Sequence, residues 1–183
     1  MKSYRKIQIG IVGWAGREEY PIEPPRFRFA TRAAAEAGYL LGQKGIVVFT
    51  GGKGGVMAQA ARGVRRGKGM TIGVIRGENR RTSNRYIDIE IVTGTATGGS
   101  ENILVTSIDG LLVFGGGAGT LQEIALAYRL GKPIVILAGC GGWGKKIYGN
   151  VLDERNSTRI FRAKTPKKAV ETVLELVEAK WSR

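Results

Sequence analysis

Two glycine clusters stand at equivalent places in the chain. Each directly follows an apolar run of strand length and directly precedes a stretch of helical periodicity. The first is Thr50-Gly51-Gly52-Lys53-Gly54-Gly55-Val56-Met57, after residues 46–49; the second is Gly115-Gly116-Gly117-Ala118-Gly119-Thr120, after residues 111–114. Glycine lets backbone amides approach a ligand closely and adopt positive φ. A helix start adds unpaired N–H groups and the positive end of the helix dipole. Together these make an anion site, and phosphate is the usual anion. Gly51, Gly52, Gly55, Gly116, Gly117, Gly119 and Thr120 are the residues placed to form it. The alternative use of such loops is tight strand–helix packing, which two loops in matching positions make the weaker reading.

The strand-length apolar runs are 7–12, 46–49, 71–75, 87–92, 111–114 and 134–137, with a faint seventh at 159–162. Most are continuous rather than alternating, the pattern of strands buried on both faces. Residues 87–92 alternate isoleucine with acid, which predicts one wetter face. Helical periodicity covers 27–43, 55–66, 101–107, 120–130 and 166–180, with Thr165-Pro166 as cap and first position of the last. The 14–25 stretch, with Pro21, Pro24 and Pro25, reads as a loop. Strands alternating with helices predict an α/β Rossmann-like three-layer fold with a mostly parallel sheet of about seven strands, formed by residues 1–183 as a single domain.

Composition excludes several chemistries. The chain has no histidine and one cysteine, Cys140, so His-based triads, Cys/His zinc sites and an intrachain disulfide are out. No metal site is expected, and a lone thiol suits a reducing cytoplasm. No apolar run has the length of a membrane span. Twenty-nine Lys and Arg against fifteen Asp and Glu give a formal net charge of +14, which favours polyanions. The basic residues are scattered and no DNA-reading motif accompanies them, so surface solubility is the first reading and nucleic acid the second. The densest basic loop holds Arg76, Arg80, Arg81 and Arg85; Arg80 and Arg81 are candidates for an anion clamp. Trp14 follows the first strand, where it fills core, contacts a lid or stacks on a base.

Glu123 lies one turn beyond the second loop. A carboxylate there can point back to the loop mouth and, near a helix N-terminus, is expected to stay ionised. It also fits a capping box with Thr120 as the cap.

The segment Gly115-Gly116-Gly117-Ala118-Gly119-Thr120-Leu121-Gln122-Glu123 resembles the Pro-Gly-Gly-x-Gly-Thr-x-x-Glu motif of the Lonely Guy, or lysine decarboxylase-like, family, with Gly115 where proline is usual. The first loop, with Ala61-Arg62-Gly63 on the next helix, is similar to that family's first glycine loop. The branch carrying Gly-Gly-Gly includes molybdenum-cofactor carrier-like proteins and is loosely related to DNA-processing protein A. The resemblance implies a homo-oligomer, and a phosphoribohydrolase that releases the base of a nucleoside 5′-monophosphate. Glu123 is then the catalytic carboxylate and Gly116, Gly117, Gly119 and Thr120 hold the phosphate. The family's enzymes also carry an arginine and a lysine upstream of the second loop. Here Ser100 and Glu101 take those places, and residues 87–127 contain no Lys or Arg. Two functions stand side by side: the hydrolase, and a non-catalytic carrier of a phosphorylated pterin-type cofactor or nucleotide. DNA binding is a third and less favoured reading.

Overall fold

The structure is a computed structural model that describes residues 5–16, 24–147, 149, 151–154 and 159–182. Its elements in chain order are β1 Gln8–Gly13, α1 Pro24–Gln43, β2 Val47–Thr50, α2 Gly55–Arg66, β3 Met70–Ile75, β4 Ile89–Val92, α3 Gly99–Ser107, β5 Gly110–Phe114, α4 Ala118–Arg129, β6 Ile134–Leu137, α5 Gly142–Ile147, β7 Ile160–Ala163 and α6 Pro166–Trp181. The seven strands form one sheet in the order β4-β3-β2-β1-β5-β6-β7, and every pairing is parallel. This is the Rossmann-like three-layer architecture that the alternation of elements predicts.

Continuous apolar strands force helices onto both faces, because each strand projects large side chains both ways. Ile9 and Ile11 of β1 point into a core shared with Ala30, Ala34 and Ala37 of α1, Val56 and Ala60 of α2, and Val170 and Val173 of α6. Val12 joins the opposite core, with Leu104 of α3, Ile124 and Tyr128 of α4, and Ile147 of α5. The layers are therefore α1, α2 and α6 on one side and α3, α4 and α5 on the other. Thr165 caps α6 by accepting from the Lys168 backbone N–H at 3.2 Å, with Pro166 in the first turn.

Three expectations change. Helix α1 starts at Pro24, so Pro24 and Pro25 open a helix rather than end a loop; proline fits a first turn, where no N–H partner exists anyway. The 17–23 part of that loop lies outside the described residues. Helix α5 has no periodic apolar pattern to announce it, being six residues with two glycines. Strand β4 is an edge strand whose isoleucines, Ile89 and Ile91, are the exposed side. Its acid is the held one, because Glu90 accepts from the Ser83 hydroxyl and from the Arg81 N–H at 2.9 Å.

Helices α1 and α2 approach backbone to backbone. A β-carbon at Gly63 would stand 2.0 Å from the Ala35 carbonyl oxygen, and one at Gly38 would stand 2.2 Å from that of Ala60. Neither neighbour is a flexible side chain that can swing away. Gly63→Ala is therefore expected to wedge the pair apart and lower stability by about 2–3 kcal/mol. Gly45→Ala, at φ +68° with open space around it, is expected to cost only about 1 kcal/mol. Urea unfolding of the two variants checks the difference; equal losses would mean that the helix pair is loosely fitted.

Candidate functional site

Strands β1 and β5 are neighbours, but their crossovers diverge. The chain leaves β1 toward β2 on one side and leaves β5 toward β6 on the other. At such a reversal the helices cannot close over the carboxyl ends, and a crevice remains. A cleft of roughly 690 Å³, open mouth included, lies there.

Its floor is apolar: Val12 from β1, Met57 from α2, Val74 from β3 and Leu104 from α3. Both glycine loops reach its wall. Gly51 and Lys53 come from the first, and Gly117, Gly119 and Thr120 from the second. Gly119 has open space where a side chain would stand. The other three candidate glycines shape the loops instead. Gly52 has φ +68°, and a β-carbon there would lie 2.3 Å from Ile75 Cδ1; Gly55 has φ +59° and packs on the Trp14 and Ala15 carbonyls; Gly116 has φ +103° and packs on Thr120. Gly117 is the N-cap of α4 in an extended conformation, φ −95°. Thr120 is thus three positions past the cap, and the expected Thr120–Glu123 capping box does not form. Helices α2 and α4 both point their N-termini at the cleft, as an anion site requires.

The cations are not the expected ones. Arg76, at the end of β3, lines the cleft together with Lys53. Arg80 and Arg81 are outside its lining and exposed. Their loop is pinned toward the sheet edge, because the Arg81 N–H is bound to Glu90. Asn84 serves the site indirectly: its side-chain amide donates to the Gly52 and Lys53 carbonyls, both at 2.9 Å, and fixes the first loop. Its only sequence signal is a polar side chain 31 residues downstream, which carries no periodicity.

Two carboxyls share the cleft in opposite states. Burial raises the Glu101 pKa, but the Ser100 hydroxyl, the backbone N–H groups of Glu101 and Gly98 and the charge of Arg76 together outweigh it, so Glu101 stays below its usual range and ionised. Its Oε2 accepts from Ser100 Oγ and from the Gly98 N–H, each at 2.8 Å. Among the described residues Glu123 has no such partners. Burial, helped by the Glu101 charge, pushes it up to about 8. The expectation of an ionised Glu123 therefore fails: loss of water outweighs the dipole of α4. At neutral pH Glu123 is mainly the neutral acid, a hydrogen-bond donor.

Trp14 and Cys140 are structural. The Trp14 indole N–H donates to the Cys140 carbonyl at 2.9 Å, and burial pushes the Cys140 thiol up to about 12, which silences it as a nucleophile. Among the described residues no group of three or more metal-binding side chains exists, and no helix is long and apolar enough to cross a membrane.

Residues 6–170 match the model of the SLOG cluster4 family. The fold is similar to the X-ray structure of TM1055, with 30% identity, 92% of this chain and 99% of that chain covered, and a TM-score of 0.82. It is similar to the molybdenum cofactor binding protein from the phototrophic bacterium Rippkaea orientalis, at 29% identity, 96% and 99% coverage and a TM-score of 0.79. It is also similar to the molybdenum cofactor carrier protein from Chlamydomonas reinhardtii, at 29%, 95% and 99%, with a TM-score of 0.78.

The raised pKa of Glu123 has a consequence for stability. The folded chain keeps a proton that the unfolded chain releases above its ordinary value of 4.5. Stability from this group is therefore present at low pH and is lost as pH rises from about 5 to 8, at no more than about 1.4 kcal/mol per unit. Glu123→Gln should remove that slope. Melting temperatures of both proteins across this range check it; parallel curves would show that Glu123 is solvated and ordinary.

Proposed function

The chain belongs to the SLOG cluster4 family, and from that premise we propose that it binds and carries a small phosphorylated heterocycle, of the pterin type of the molybdenum cofactor or a nucleotide, without cleaving it. The observation that carries this reading is the likeness, over nearly the whole chain, to a molybdenum cofactor binding protein and a molybdenum cofactor carrier protein, and the raised pKa of Glu123 supports it. Cleavage of an N-glycosidic bond builds positive charge on the ribose, which an ionised carboxylate stabilises and a neutral acid does not. A neutral acid beside two helix N-termini instead donates a hydrogen bond to an anion, as carboxylic acids held neutral in apolar sites do. An incoming phosphate favours that protonated form further.

The remaining residues fit a carrier. The phosphate end is served by the amides around Gly51, Gly117 and Gly119, by Thr120 and by the charges of Lys53 and Arg76. Ser100 and Glu101 stand where the resembling enzymes have arginine and lysine. An ionised Glu101 accepts hydrogen bonds from an N–H-rich heterocycle edge, which the pyrimidinone ring of a pterin and that of guanine both present. Two of the similar proteins are described as a molybdenum cofactor binding protein and a molybdenum cofactor carrier protein, which supports the carrier over the hydrolase.

GMP and AMP serve as probes. Calorimetry is expected to show binding of GMP, and chromatography after long incubation no free base from either. Gly119→Val, which fills the open space, and Arg76→Ala are each expected to weaken GMP binding about tenfold or more. Glu123→Gln, which keeps a neutral donor, is expected to bind within a few-fold of the parent protein. Free base that accumulates with the parent protein and not with Glu123→Gln would establish the hydrolase instead.

A further inference from the structure

The cleft leaves most of the chain's positive charge unexplained, and a concentrated part of it lies on the other layer. Helices α1 and α2 together carry six arginines, no lysine and one acidic residue, Glu36. The close approach of the two helices lays their exposed rows side by side along one groove, lined by Arg32, Tyr39, Arg62 and Arg66 with Glu36 among them. At the far end of α2 the row continues into the 85–86 turn, where Arg65 Nη1 donates to the Arg85 carbonyl at 3.5 Å. Among the described residues none of Arg32, Arg62, Arg65 or Arg66 pairs with a carboxylate. Two tyrosines are interleaved with them: the Arg66 guanidinium lies 5.8 Å from the Tyr39 ring centroid and that of Arg85 lies 5.0 Å from the Tyr86 ring.

We propose that this arginine–tyrosine face of α1, α2 and the 85–86 turn binds single-stranded nucleic acid. Arginine forks suit a row of phosphates. Exposed rings and guanidinium planes offer stacking platforms that accept any base. A bilayer surface would call for apolar residues to insert, and among the described residues Tyr39 is the only large exposed apolar side chain that lines the groove. The electrostatics agree with the geometry: the hydrogen bond from Arg85 and the fields of Arg85, Arg62 and Arg65 outweigh the opposing effect of burial and hold the Tyr86 phenol below its ordinary value. This face is separate from the cleft, which shares no lining residue with the groove.

Fluorescence anisotropy with labelled oligo(dT) and oligo(U) of about 20 nucleotides tests the proposal on the full chain. With about four phosphates engaged, the logarithm of affinity should fall against the logarithm of salt with a slope near −3. Replacing Arg62, Arg65 and Arg66 by Ala should weaken binding more than about tenfold and bring the slope to about −1. The control replaces Lys164, Lys167 and Lys168, which are exposed near the start of α6, by Ala. It removes the same charge and should change affinity less than about twofold if the face is specific. Tyr86→Leu should weaken binding several-fold at unchanged slope, as loss of stacking does. If the triple arginine variant does not fold, Arg85→Gln with Tyr86→Leu carries the test. A slope near zero, equal losses in the arginine and lysine variants, or tighter binding to phosphatidylserine vesicles than to either oligonucleotide would overturn it.

Discussion

Everything at the site depends on where the winding of the sheet reverses. Strands β1 and β5 pair directly over five residues, yet the helices that follow them run away from each other. The gap between them leaves the cleft open at the carboxyl edge. Both glycine loops, the end of β3 and the start of α3 face it because the strand order brings them there. No side chain selects that location; side chains only decide what it accepts.

What they decide is a matter of competition between solvation and charge. Two carboxyls within one cleft separate into an ionised and a neutral member. Glu101 is surrounded by donors and lies near Arg76. Burial and the charge of Glu101 raise the pKa of Glu123. In the carrier reading proposed above, the cleft is thereby divided into a region for N–H donors and a region for an anion. A ligand with a phosphate at one end and a donor-rich ring at the other matches that division in a single orientation. A hydrolytic site asks for the reverse at position 123, a charge kept in place beside a developing cation.

Much of the fold was legible because buried parallel strands write themselves as continuous apolar runs. Each of the seven runs became a strand, to within a residue or two. The glycine loops were legible as loops, but not their division of labour. Whether a glycine faces ligand space, as Gly119 does, or a neighbouring carbonyl, as Gly55 does, depends on tertiary approach. The same holds for the cations. Arg76, Arg80 and Arg81 look equivalent along the chain, and the ties of the Arg81 amide and of Ser83 to Glu90 hold the latter pair at the edge. Glu123 was misjudged for a related reason. Proximity to a helix start can be counted from residue numbers, whereas loss of water cannot. Helix α5 was invisible because six residues are too few to show a period.

Gly115 is where the resembling motif has proline, and its backbone explains why the two do not trade freely. It holds φ +77°, and a β-carbon on it would lie 2.1 Å from the Trp14 indole nitrogen and 2.6 Å from the Cys140 carbonyl oxygen. Proline is restricted to φ near −65°. To accept it, the loop, Trp14 and the turn at Cys140 must all move together. Gly115 thus ties the second loop, Trp14 and the turn at Cys140 into one unit that a side chain at this position would disturb together.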